Sequence, residues 1–385
     1  MTDSHLQQDL CTKAGPHLHV VAFDVPYPPN YGGVIDIYYR LLNLAESGVN
    51  LHLHCFAYGR ERAPELEAVC CSVQYYRRDV SLKNLFRKKP YIVCSRDNRE
   101  LKDDLLTDDY PILLEGLHCC SILEDRRFEK RNIMVRTHNV EHEYYGQLSL
   151  QERRLWKKKY LKDEAEKLKR YEPVLARATS IVAINRGDRE YFQQKYARAT
   201  WIPSHHKYNH VIASAGRGKY LLYHGNLSVP ENAAAAEWLV EHVLSKTGMP
   251  VKIAGMNPPG PLVKTISQHG NMELLANPSE EEMEVLLRDA HIVLLYTEQS
   301  TGLKLKLLNS LYSARFCLVN RKMVEGTGLE SLCEIADSAE EMLDEIRILS
   351  KADFSKSEKE RRERLLAEDY SNGTSTARWK KLIEK

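Results

Sequence analysis

Several short signatures of well-known chemistries are missing from this chain of 385 residues. It has no Cys-x-x-Cys. Its nine cysteines, adjacent at Cys70–Cys71 and Cys119–Cys120, therefore fit neither a zinc site nor a disulfide framework, and reduced, mostly buried thiols are expected. There is no Gly-x-Gly-x-x-Gly, which removes the dinucleotide fingerprint, and no His-Glu-x-x-His or Asp-x-Asp after an apolar strand. No stretch approaches the ~18 apolar residues that a membrane helix needs. Residues 1–16 are polar and lack the apolar centre of a signal peptide, so a cytoplasmic protein is expected. An excess of one charge is missing too. The 55 Lys and Arg nearly balance 53 Asp and Glu, and the net charge of +2 gives no global attraction to nucleic acid.

What the chain does have is alternation. Residues 19–23, 51–57, 112–114, 132–136 and 180–184 are short β-rich or buried runs. Between the first two, Val34, Ile37, Tyr38, Leu41, Leu44 and Ala45 share one helical face, and Gly48 stops that helix. A second series runs 220–223, 251–254, 292–296 and 316–319, with helices at 231–244 and 279–290. The latter opens with the capping box Ser279-Glu280-Glu281-Glu282. Alternation of this kind predicts parallel sheets built from right-handed crossovers. The expected organisation is α/β: two doubly wound Rossmann-like domains, 1–203 and 220–354, facing across a cleft. Residues 204–219 are the linker, and the charged helical segment 355–385 packs back on the first domain.

Four segments carry candidate chemistry. Residues 301–309 read Thr-Gly-Leu-Lys-Leu-Lys-Leu-Leu-Asn after an apolar strand. A glycine loop opening a helix with Lys304 and Lys306 suits a diphosphate, because helix N-terminal amides are unpaired and partially positive. The alternative is a surface helix with two solvated lysines. Pro28-Pro29-Asn30-Tyr31-Gly32-Gly33 lets a substrate approach the backbone at a helix start, or is a plain tight loop. Arg136-Thr137-His138-Asn139-Val140-Glu141-His142 follows a strand, where His138 is placed to hydrogen-bond a substrate hydroxyl or a developing charge. His138 and His142 are four residues apart, but no third metal ligand is evident. Finally, Gly225 in the loop 223–232 can approach a phosphate and Asn232 can cap or position, unless the loop is only a capped helix start.

Taken in order, these four segments resemble the GT-B glycosyltransferases, specifically the family 4-like retaining group, over nearly the whole chain. Many members carry Thr-Gly-x-Lys-x-Lys-x-x-Glu-Ala where this chain has 301–309. The resemblance implies that the second domain binds a nucleotide sugar, with Lys304, Lys306 and the amides around Gly302 on the diphosphate. Gly33 would face the same group from the first domain. His138 would be the catalytic contact near the reacting carbon, with Asn139, Glu141 and Thr301 as candidate sugar contacts. Gly225, Asn226 and Asn309 would contact the nucleotide. Transfer would proceed with retention and without cofactor or metal, from a nucleotide-sugar donor to a glycan or lipid-linked acceptor, in polysaccharide biosynthesis. Asn309 departs from the pattern. It replaces a carboxylate that binds ribose, a weakening of ~1–2 kcal/mol if the geometry persists. Either a subgroup has adapted to Asn309, or Glu298 compensates, or the site no longer turns over. The rival readings are therefore a non-catalytic nucleotide-sugar-binding partner and a nucleotide-sugar epimerase on the same architecture. A basic stretch at 153–170, interleaved with Trp156, Tyr160 and Leu161 and joined by 82–90, is a candidate for peripheral contact with the inner membrane face. Asp163, Glu164 and Glu166 within it equally suit a solvated helix face.

Overall fold

Two all-parallel sheets organise the chain. The computed structural model describes residues 14–152, 154–298 and 305–384. Their compact units comprise 14–207 with 369–384, and 208–298 with 305–368. In the first unit the strands are β1 (His17–Ala22), β2 (Asn50–Ala57), β3 (Ser72–Arg77), β4 (Ile112–Glu115), β5 (Ile133–Thr137), β6 (Ser180–Ala183) and β7 (Ala199–Trp201). They lie in the order β3-β2-β1-β4-β5-β6-β7. The second unit has β8 (Tyr220–His224), β9 (Val251–Gly255), β10 (Met272–Ala276), β11 (Ala290–Leu295), β12 (Phe316–Val319) and β13 (Glu334–Ile335), in the order β10-β9-β8-β11-β12-β13. Both are doubly wound, as expected. The order reverses beside β1 in one sheet and beside β8 in the other, and open α/β sheets bind ligands at the carboxyl ends of such strands.

The central strands are buried on both faces, which is why β4, β5 and β11 read as continuous apolar runs. The strands that periodicity missed, β3, β7, β10 and β13, are short or near the sheet edges and only partly buried. Helix Gly32–Glu46 buries Val34, Ile37, Leu41 and Leu44, and Gly48 follows at a φ of 90°, a turn suited to glycine. The capping box at Ser279 and Glu282 is formed. Residues 204–206 are not exposed despite their polarity. The His205 N–H donates to Asp36 Oδ1 at 2.9 Å, and the His206 N–H to Asn372 Oδ1 at 3.1 Å. The charged C-terminal segment divides between the units. Helix Asn372–Ile383 belongs to the first, where Trp379 is fully buried.

Among the described residues seven cysteines are free thiols, all buried except the half-buried Cys333. Cys71 is an exception to the expected reduced state, because it is disulfide-bonded. No described helix is long and apolar enough to cross a membrane.

Histidines that periodicity cannot see form a ladder on β1 and β2. Asp108, His19, His54, Tyr76 and Asp104 are linked in sequence at 3.0, 2.9, 2.8 and 2.6 Å. Burial lowers His52 and His206 to about 4 and His54 and His224 to about 3, and holds His118 and His205 well below the ordinary imidazole range. These groups stay neutral in the folded state while the unfolded chain takes up protons below pH 6.5. Stability is thus present above pH 6.5 and lost as pH falls toward 4, by up to ~1.4 kcal/mol per histidine per pH unit. Glu141 and Glu334, whose pKa values burial raises, act in the opposite sense but are too few to offset six histidines. The melting temperature is expected to be nearly flat above pH 7 and to fall steeply between pH 6.5 and 5. A calorimetric scan in which it stays constant to pH 5 would contradict this.

Candidate functional site

At the carboxyl ends of β4 and β5, four charges are buried together. Asp36 and Arg40 come from helix Gly32–Glu46, Glu115 ends β4 and Arg136 lies in β5; all are at or near zero exposure. Arg40 Nη1 donates to Asp36 Oδ2 at 2.8 Å, and its other arm donates to Glu115. Arg136 Nε donates to the same Asp36 oxygen at 3.0 Å. Burial alone would raise the Asp36 pKa, but the Arg136 and Arg40 guanidiniums hold its carboxyl well below the usual range. The indole of Trp379 covers both arginines, 5.0 Å from Arg40 and 5.8 Å from Arg136.

His138 hangs from this cluster. Its Nε2–H donates to Glu115 Oε2 at 3.0 Å, and its ring meets Phe23 edge-on at 5.6 Å. Nδ1 has no partner among the described residues, so in the neutral ring it is the atom left to accept from a ligand hydroxyl. Gly33 lies on the same aromatic ring, since a Cβ there would sit 2.6 Å from Phe23 Cζ. The helix that Gly33 opens has no side-chain cap and no acid in its first turn, so its leading amides remain available. Asn139 is half-buried. Glu141 is 6% exposed and has no hydrogen-bond partner among the described residues. Burial and then Asp188 raise its pKa to about 8 against the opposing charge of Arg96. His142 turns elsewhere, onto Glu172 at 3.1 Å. The described residues hold no group of three or more side chains arranged to bind a metal.

In the second unit the loop after β8 meets helix Leu305–Ser313. Lys306 Nζ donates to Asn232 Oδ1 at 3.0 Å, and Asn232 Nδ2 donates to the Asn226 carbonyl at 3.0 Å. Asn226 Oδ1 accepts from the Ser228 N–H at 3.1 Å and from Ser228 Oγ at 2.6 Å, a local turn that fixes the loop. The loop also packs against β9, because a Cβ on Gly255 would lie 2.0 Å from the Gly225 carbonyl oxygen. Thr297, just beyond β11, donates to Glu231. His224 pairs with Ser310 Oγ at 2.9 Å and is kept neutral by burial and then by the charge of Lys306. Asn309 lies one helical turn after Lys306, half-buried, and its amide group has no hydrogen-bond partner among the described residues. Glu298 is held by Lys322 Nζ at 2.5 Å and by the Tyr296 hydroxyl. Thr301, Gly302 and Lys304 lie outside the described residues.

The structure thus gathers Gly225, Asn226 and Lys306 at one strand end, with Asn309 on the same helix as Lys306. It gathers Gly33, His138 and Glu141 at another. Sequence reading missed Asp36, Arg40 and Glu115, which lie on separate elements and meet only in the fold. No family model matches the chain. It is 29% identical over 334 residues to a protein described as an uncharacterized 44.6 kDa protein in the cps region of Klebsiella pneumoniae, covering 80% of this chain and 84% of that one. Its structure is similar to a glycosyltransferase from Rickettsia africae, with a TM-score of 0.62, 10% identity and coverage of 96% of this chain and 98% of that chain. It is equally similar to a UDP-forming α,α-trehalose-phosphate synthase from Burkholderia xenovorans in complex with glucose-6-phosphate, with a TM-score of 0.62, 11% identity and coverage of 96% and 100%. The fold is GT-B.

Removing one member of a buried ion cluster leaves its partner charged and dry, at a cost of about 3–5 kcal/mol. Asp36→Asn is therefore expected to lower the unfolding free energy by about that amount. Denaturant titration checks this, and a loss below about 1 kcal/mol would mean that Asp36 is not what holds Arg136.

Proposed function

We propose that the protein is a glycosyltransferase that moves a sugar from a nucleoside-diphosphate donor to a glycan or lipid-linked acceptor. The observation that carries this reading is Lys306 held over the loop after β8 by Asn232, at the carboxyl end of a GT-B sheet. As the sugar–phosphate bond breaks, the departing diphosphate gains negative charge. Lys304, Lys306 and the Gly302 amides stabilise that charge more in the transition state than in the ground state, supplying what a divalent cation supplies elsewhere. His138, oriented by Glu115, meets the donor sugar through Nδ1, and Asn139, Glu141 and Thr301 are the further candidate sugar contacts. Gly33 adds helix-start amides, and Gly225, Asn226 and Asn309 meet the nucleotide. Transfer occurs with retention. The cps-region relative supports polysaccharide assembly as the setting.

We further place the acceptor reaction at the cytoplasmic face of a membrane. Leu155 and Trp156 are 83% and 70% exposed at the start of helix Leu155–Tyr171, beside Lys157, Lys158 and Lys159. Phe86, 88% exposed, lies near Lys83, Arg87 and Lys88 on a segment tied to the same helix by Lys167 Nζ and the Leu85 carbonyl at 2.8 Å. Exposed apolar side chains set among cations suit an anionic lipid surface.

Incubating the protein with a panel of nucleotide sugars, with and without lipid-linked acceptors, tests the activity. Lys306→Ala is expected to lower kcat/KM about 100-fold or more. His138→Ala should reduce kcat more than donor affinity. Binding without turnover of any donor would favour the non-catalytic reading that Asn309 raises, and release of an isomerised sugar would favour an epimerase. Phe86→Ala with Trp156→Ala should reduce co-sedimentation with phosphatidylglycerol vesicles several-fold. Sedimentation equal to that of the unaltered protein would remove the membrane assignment.

A further inference from the structure

Arg40 and Arg136 have acid partners, but two arginines at the carboxyl edge of the same sheet, one buried and one half-buried, have none among the described residues. Arg96 is 6% exposed. Its Nε donates to the Phe23 carbonyl at 2.8 Å and Nη1 to the Ile92 carbonyl at 3.0 Å. Those are neutral acceptors, and no carboxylate of the described residues forms an ion pair with it. Arg78 follows β3 directly. Its Nε donates to Ser95 Oγ at 3.1 Å, and its guanidinium lies 5.1 Å from the Tyr58 ring and 5.8 Å from the Tyr91 ring. It too has no acid partner among the described residues. Ser95 and Arg96 are neighbours in sequence, and neither guanidinium is ion-paired with an acid among the described residues. Burial, and then the charge of Arg78, lowers the Arg96 pKa to about 10.

A third group faces the same region. His118 follows β4, and its ring lies 5.1 Å from Phe23, whose carbonyl holds Arg96. Its Nδ1 is sealed from solvent and has no hydrogen-bond partner among the described residues. The turn that places it requires glycine. Gly116 has a φ of 70°, and a Cβ there would sit 2.7 Å from His118 Nδ1. Two nearby carboxyl groups form no ion pair with the arginines. Asp24 supports the Arg96 charge through space, but its oxygens accept from the Val25 N–H at 2.9 Å and the Tyr31 hydroxyl at 2.8 Å, and burial raises the Glu141 pKa to about 8. Burying a guanidinium without a counter-charge costs several kcal/mol, a cost that an arriving anion offsets.

We propose that Arg78 and Arg96, with His118 beside them, bind the phosphate of a phosphorylated acceptor. A guanidinium matches phosphate oxygens in bidentate geometry, so two in one region suit a phosphate. The anion site stands on the first unit alone; calling its ligand an acceptor rests on the transferase reading above. Two acceptors carry this chemistry, a soluble sugar phosphate and a lipid-linked one.

Calorimetric titration of the full-length protein with glucose-6-phosphate and with farnesyl phosphate, against glucose and farnesol as uncharged counterparts, separates them. At least one phosphate probe should bind where its uncharged counterpart does not. Tighter farnesyl phosphate binding identifies a lipid-linked acceptor, and the reverse identifies a soluble one. Arg78→Gln should weaken the binding tenfold or more, and Arg96→Gln should do the same. Arg78 is half-buried, so its variant carries the test if the Arg96 variant does not fold. Lys306→Ala should leave this titration unchanged. The proposal is overturned if no phosphate probe binds, if Arg78→Gln binds as the unaltered protein does, or if only Lys306→Ala weakens binding. A parallel titration with UDP-glucose and other nucleotide sugars reads the donor assignment separately. Its failure would remove the transferase reading while leaving the anion site intact.

Discussion

The buried cluster of Asp36, Arg40, Glu115 and Arg136 is the constraint on which the first unit depends. Two acids and two guanidiniums leave no net charge, but each charge alone would be prohibitively expensive to bury. The cluster therefore works as a set, and it ties elements that adjoin a sheet end: helix Gly32–Glu46, β4, β5 and, through the His205 N–H, the chain after β7. Trp379 closes it with an aromatic face and no competing acid. Its functional consequence lies at its margin. Glu115 uses one oxygen inside the cluster and offers the other to His138, so the imidazole inherits its orientation from a group that cannot move without unpairing Arg40.

The same unit contains arginines in two settings, one ion-paired and one not. Arg40 and Arg136 are fully compensated and serve the fold. Arg78 and Arg96 are held by a hydroxyl, carbonyls and aromatic rings, partners that position a guanidinium without cancelling its charge. Near them, burial raises the Glu141 pKa to about 8, which weakens its opposition to an anion.

Much of the architecture was legible because it is local. Apolar runs separated by amphipathic helices marked the central strands, and the Ser279 capping box and the stop at Gly48 marked helix ends. The edge strands were not legible. β3 and β10 alternate only weakly because each is partly open to solvent, and β13 is two residues long. In the site, His138 and Lys306 could be singled out because each sits in a short motif just beyond a strand. The residues that orient them could not: Glu115 is 23 positions from His138, and Asn232 is 74 from Lys306. Such pairs have no periodicity, and only the sheet order brings them together. The burial of the polar stretch 204–206 was not legible either, since its partners Asp36 and Asn372 are 169 and 166 residues away.

Asn309 can be weighed against Lys306 on the same helix. Replacing a ribose-binding carboxylate by an amide forfeits charge assistance but keeps an acceptor oxygen, a change of ~1–2 kcal/mol. Most of that falls on donor affinity, because the ribose hydroxyls carry the same charge before and after the sugar leaves. In the proposed transfer the lysine would act on the diphosphate, where charge grows during the reaction, and contributions of that kind reach ~3–4 kcal/mol. Glu298 is poorly placed to substitute, since Lys322 and Tyr296 already engage its carboxylate. Under the proposed transfer, an amide at 309 weakens donor binding and leaves in place the two lysines, Lys304 and Lys306, that would meet the growing charge.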